Sequence, residues 1–224
     1  ITCWERSVQD GGGFATVERN LGIAIWNFTQ DGNRARQHYL KALELDPADP
    51  RLVTEYDQLR AKLNDPVEDR LAFLESHIDL VHLRDDCSVS LAALHNLSGS
   101  PERALKILVS RRFHPWEGGE GSVLRQFTAA HLLLGRKALA SGDAASALRH
   151  FTGAMDTLEN LGEAYHLHQA KADVNYWIGM AHKALGDPVE AANHFTMCAA
   201  EVGDFSEMMV TAHSPLSYFR GLAL

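Results

Sequence analysis

One pattern occurs twice in this chain at a fixed interval, and that repetition limits the fold more than any other feature. Leu134-Gly135, Gly142-Asp143, Ala147, Phe151 and Ala154 each fall 44 residues before Ile178-Gly179, Gly186-Asp187, Ala191, Phe195 and Cys198. Leu91-Ala92, Gly99, Ala104 and Leu108 keep the same internal spacing. Leu21-Gly22, Ala35, Tyr39, Ala42 and Pro47 keep it once one residue is inserted before Ala35. Ala35 and Ala104 are 69 residues apart, two periods of 34.5, and a degenerate copy (Tyr56, Asn64-Asp65, Arg70, Leu74) occupies the middle. A repeat of roughly 20–50 residues cannot bury its apolar face alone, so copies must stack on one another.

Within each copy the period is helical. Leu148, Phe151, Ala154, Met155 and Leu158 follow i, i+3, i+4 spacing, which gives one apolar helical face. Strand-like alternation is nowhere convincing, and Ala, Leu and Glu dominate the periodic segments. The fold class expected is all-α. The turns repeat as well: Asp65-Pro66-Val67-Glu68 recurs as Asp187-Pro188-Val189-Glu190, with Ser100-Pro101-Glu102 as a variant. Asp or Ser as N-cap and Pro at the first helical position, with Glu68 and Glu190 three residues after the cap, predict three second helices begun by the same chemistry. Gly and Ala at fixed places let the paired helices approach, with Tyr39, Phe151 and Phe195 expected to fill the space against the next copy.

These residues resemble the tetratricopeptide repeat (TPR), whose pattern places Leu-Gly, Tyr, Gly, Ala, Phe, Ala and Pro at the same positions. The resemblance covers roughly residues 17–201 and implies an α-solenoid of about five antiparallel helix pairs. The expected organisation is a single repeat domain over 1–224, with repeats at 17–48, 50–80, 84–112, 122–158 and 161–201 and a capping helix at 206–224. The 44-residue interval exceeds a TPR period by about ten residues, which we assign to a long first helix from Glu163 to Leu185. A narrower resemblance lies in the run from Arg111 to Gly121, with Asn160-Leu161-Gly162-Glu163 and Tyr176-Trp177-Ile178-Gly179 downstream. It is similar to the C-terminal repeat region of large bacterial multidomain proteins that carry a carbohydrate-related domain of unknown function. Together with the opening Ile1 and the lack of a signal-peptide pattern, that implies an excerpt of a longer bacterial, cytoplasmic protein.

Composition narrows the function classes. The 224 residues carry 21 Lys and Arg against 29 Asp and Glu, a net charge of −8 without a basic cluster, which disfavours nucleic acid. Apolar runs such as Leu132–Leu134 are far shorter than the roughly 20 residues of a membrane span. Cys3, Cys87 and Cys198 are widely spaced and odd in number, so neither a disulfide framework nor a CxxC site is expected. Glu163-x-x-His166 places a carboxylate and an imidazole on one helical face, but no second copy exists to complete a di-metal site. His38, His150 and His194 precede an aromatic at the same register and read as repeat residues. No metal, cofactor or catalytic residue is expected, since GxSxG, HExxH and P-loop patterns are all missing.

Two surfaces remain. The first is the TPR concave groove, whose first-helix positions correspond to Asn20, Asn27, Glu55, Lys62, Asp86, Asn96, Arg136, Asp173, Tyr176 and Lys183. Such side chains can hold a protein or peptide segment, or another domain of the same chain. The second is the connector between the third and fourth copies, where Arg112, His114, Trp116, Glu117 and Glu120 stand among glycines. That run is either an ordered connector plugged by Phe113 and Trp116, or a loop that helps form a sugar site in a carbohydrate-active parent. Homodimerisation through an uncapped end is a further expectation.

Overall fold

The helical period is realised as helices paired across short turns. The computed structural model describes residues 1–11, 13–206 and 209–224, divided into two units, residues 1–94 and 95–224. The first unit holds α1 (Thr2–Gln9), α2 (Ala15–Thr29), α3 (Gly32–Leu45), α4 (Pro50–Lys62), α5 (Val67–Ser76), α6 (Ile78–Val81) and most of α7 (Asp85–Leu97). The second holds α8 (Pro101–Val109), α9 (Ser122–Ala140), α10 (Ala144–Gly153), a 3-10 turn (Glu159–Leu161), α11 (Ala172–Leu185), α12 (Pro188–Ala200) and α13 (Ser217–Ala223). A small antiparallel hairpin, β1 (Asp204–Ser206) and β2 (Met209–Thr211), sets Asp204 opposite Thr211 in an otherwise all-α solenoid.

Close helix approach depends on the repeated glycines. A Cβ on Gly22 would lie 2.8 Å from the Tyr39 ring, and one on Gly179 would lie 2.7 Å from Phe195. Gly135 is overlaid by Phe151 in the same way. Each aromatic therefore sits first on the glycine of its own pair. Tyr39 and Phe151 also reach the following pair, with ring centroids 6.2 Å from Tyr56 and 5.9 Å from Trp177. The core of the first unit is built on Val17, Leu21, Ile25, Tyr39, Tyr56 and Leu59, with Ile1 and Val8 of α1 packed against it. In the second unit Ala147, Phe151, Val174 and Ile178 play that part.

The histidine register also has a structural meaning. His38 Nδ1 lies 2.6 Å from Glu18, His194 Nδ1 lies 3.2 Å from Asn175, and the His150 ring centroid lies 5.6 Å from that of His131. In each case the second-helix histidine meets the residue four places before the repeat glycine. Cys87 and Cys198 are buried as expected of repeat positions, and burial pushes the Cys87 thiol up to about 11.

Three expectations need correction. Only Asp187 caps its helix as predicted, accepting from Glu190 N–H at 3.1 Å. Asp65 turns instead to Arg36 and Arg60, and Ser100 makes no side-chain cap. Asp31, Asp49 and Asp143 cap other helices. The long helix from Glu163 is not formed: α11 begins at Ala172, and an irregular segment follows α10. Gly162, at φ +73°, ends the 3-10 turn against the backbone of Phe113, and a side chain there would collide with the Phe113 carbonyl. Nor is 206–224 one capping helix. Met209–Thr211 is a strand and only Ser217–Ala223 is helical, packed on α11 and α12, while residues 207 and 208 lie outside the described ones.

Candidate functional site

The groove positions of the first unit are largely engaged by neighbouring side chains. Glu55 receives a two-pronged contact from Arg19, at 2.7 and 2.5 Å, and Tyr39 donates to it at 3.3 Å. Asn20 accepts from the same arginine. Asp86 is held by Arg84 at 3.0 and 2.7 Å and caps Cys87 N–H. The same habit continues below the surface, where Arg70 grips the buried Asp57 at 2.9 and 2.8 Å. Asn27 and Lys62 are exposed.

The second unit is organised differently. Its connector is anchored by Phe113, which is buried, carries Arg111 5.0 Å above its ring and donates its N–H to Asn160 O at 2.8 Å. Asn160 donates in turn to Leu108 O and Arg111 O, both at 2.9 Å, and so fastens the end of α8. Glu163 accepts from Gly121 N–H at 2.7 Å and Leu124 N–H at 2.6 Å, a carboxylate placed on the free donors and positive end of α9. Glu163 therefore serves as a cap and shares no helical face with His166. The Tyr165 hydroxyl donates to Ala154 O at 2.6 Å and meets Thr128 Oγ1 at 2.6 Å. These contacts fasten the connector to the segment after α10 at Asn160 and Glu163 and fix the two segments as the walls of one cleft.

Between the walls lies a cleft of about 1250 Å3. One side presents His114, Trp116, Glu117 and Glu120 of the connector. The other presents Tyr165, His166 and Lys171, and Arg125, Ala129 and Leu132 of α9 and Asp173 of α11 form its floor. Trp116 is half-buried with its indole laid over Gly119, where a side chain would have no room. Pro215 and Leu216, just ahead of α13, complete the rim.

Electrostatically the floor is unusual at Asp173. Its side chain accepts from Val174 N–H at 2.8 Å, and no cation is within ion-pair distance among the described residues. Burial, reinforced by Glu201 and Asp204 nearby, pushes its carboxyl up to about 6. Glu201 is raised as well, chiefly by burial, and its carboxylate accepts from Lys171 N–H at 2.6 Å. The Lys171 ammonium sits 4.1 Å above the Tyr165 ring instead of beside Asp173.

The remaining sequence candidates fall elsewhere in this unit. Arg112 is exposed and 3.6 Å from Glu159, outside the cleft. Asn96 is buried and donates to Gln126 O and Oε1, both at 3.1 Å. The Arg136 guanidinium lies 5.0 Å from the Trp177 ring, and Lys183 is exposed. Tyr176 is packed among Phe195, Trp177 and Phe219, so α13 covers it. Glu163, Tyr165 and Lys171 were missed as site residues because the long-helix reading concealed them. The ten surplus residues of the 44-residue interval were the signal, and Asn160-Leu161-Gly162 was its turn chemistry.

No known family profile matches the chain. In three dimensions it is similar to YrrB, a TPR protein with an unusual peptide-binding site, at TM-score 0.57 and 16% identity over 87% of this chain and 90% of that one. It is also similar to MamA, at TM-score 0.56 and 14% identity over 84% of this chain and 91% of that one. Residues 41 to the end of MamA from Desulfovibrio magneticus RS-1 give TM-score 0.54 and 16% identity, over 82% and 92%. At such identities the likeness is one of fold, an all-α solenoid of the TPR kind.

Proposed function

We propose that the chain is a non-catalytic protein-interaction module and that the cleft of residues 95–224 is where it takes a protein segment, from a partner or from another part of its own parent. The observation that carries this reading is the cleft itself. First-helix residues at groove positions, Ala129, Leu132 and Asp173, form its floor, and two irregular segments absent from a plain repeat wall it in. A space of about 1250 Å3 with aromatic, aliphatic and charged sides suits several residues of extended chain. The fold supports the reading through YrrB, whose own TPR structure is described with a peptide-binding site. Among the described lining residues, Glu163 and Tyr165 are tied to backbone groups, and the carboxylates Glu117 and Glu120 are exposed.

Selection from a displayed random dodecapeptide library tests this directly. The reading expects peptides that bind the chain and lose binding in Ala129→Trp, which fills the floor, yet bind Glu55→Gln normally. Peptides indifferent to Ala129→Trp would contradict it. So would an oligosaccharide panel that changes tryptophan fluorescence saturably in the native chain and not in Trp116→Ala, the behaviour of a sugar site.

A further inference from the structure

The charges around the cleft identify the kind of segment it takes, an inference that rests on the peptide-binding reading above. Among the described lining residues, carboxylates outnumber cations: Glu117, Glu120, Glu163, Asp173 and Asp204 stand against Arg125 and Lys171. Two of the acids are satisfied by backbone, Glu163 on α9 and Asp204 by Ala170 N–H at 3.0 Å. Asp173 is different. It is half-buried on the floor, its carboxylate is met by the backbone N–H groups of Val174 and of Asp173 itself and by no cation among the described residues, and Tyr165, Glu201 and Asp204 lie within electrostatic reach of it. The one ammonium close in sequence, Lys171, is parked on the Tyr165 ring. Arg125 is exposed. A carboxylate withdrawn from water with no cation is costly, and a cation arriving from outside relieves that cost.

We propose that the segment bound in the cleft carries a lysine or arginine whose cation pairs with Asp173, while its apolar neighbours lie on Trp116, Leu132 and Tyr165. Low local dielectric strengthens that ion pair above one made in open water. Glu117 and Glu120 at the mouth attract the same sign of charge and repel acidic segments. Binding then requires Asp173 ionised. Because its carboxyl is pushed up to about 6, affinity falls as pH is lowered through that value.

The composition of the peptides selected from the random library is the test. Lysine or arginine should be enriched at one position, and replacing it with glutamine should weaken binding by about tenfold or more. Asp173→Asn keeps the shape and the acceptor for Val174 N–H. It should erase the preference for the basic peptide over its glutamine version, and the ratio of the two affinities is the quantity read. Equal affinity of both peptides for the native chain would overturn the cationic segment and leave the peptide cleft standing. Enrichment of acidic residues would do the same. Recovery of no cleft-dependent peptide would overturn both readings.

Discussion

The two units of this chain handle buried acid in opposite ways. In residues 1–94, Glu55, Asp57, Asp65 and Asp86 each take both prongs of one arginine's guanidinium, and Asp65 is held by a second arginine as well. In residues 95–224, Asp173 and Glu201 are withdrawn from water with backbone donors alone or an amide beside them, and both are raised by burial. The lesson is that charge satisfaction distinguishes a scaffold surface from a receptive one. A completed ion pair has nothing left to offer a ligand, whereas an acid without a counter-ion is a site with one component missing.

The sharpest way to break this contrast is to cut a pair in the first unit. Arg70→Leu strands the buried Asp57 and should cost about 3–5 kcal/mol in denaturant unfolding; a loss under about 1 kcal/mol would mean water already shares that site. The second unit should respond with the opposite sign. Asp173 holds its proton more tightly folded than unfolded, since its carboxyl moves from 3.8 to about 6. The native chain therefore loses stability as pH rises between those values, and the loss is complete above the upper one. Asp173→Asn should melt higher than the native chain at pH 7–8, by on the order of 1–2 kcal/mol, with the gain fading below about pH 4. A variant that melts lower at neutral pH would place Asp173 among the satisfied acids.

Smaller effects sharpen the description of the cleft walls. Glu163→Ala removes the acceptor for Gly121 and Leu124 N–H and should cost about 1–2 kcal/mol, with faster amide exchange at both positions. Unchanged exchange would show that the connector holds itself. Arg112→Ala, at an exposed pair with Glu159, should change stability by less than about 0.5 kcal/mol and leave peptide binding intact. Loss of binding there would extend the site beyond the cleft.

Much of this was legible in the sequence, and the limits have physical causes. The helix pairs follow from glycine, alanine and aromatic spacing because the Gly22–Tyr39 and Gly179–Phe195 contacts are local to one pair and tolerate no side chain. The connector was singled out by its composition, and four of its five candidate residues line the cleft. The segment from 154 to 171 was misread because Ala, Glu and Leu favour helix on propensity alone. Tertiary bonds from Asn160, Glu163 and Tyr165 to distant backbone overrode that preference. Asp65 looked like a cap for the same reason: the sequence shows the turn chemistry but not the two arginines that compete for it. The covering of Tyr176 by Phe219 depended on where the tail returns, which spacing does not encode.

The most direct test is the titration of the Asp173 carboxyl carbon followed by NMR, in the free chain and with a selected basic peptide bound. The structure predicts a free midpoint near 6 that falls toward or below the ordinary carboxylate range when the peptide's cation arrives. A free midpoint already at or below about 4, unmoved by the peptide, would show that Asp173 lacks nothing and that the cleft's floor does not await a cation.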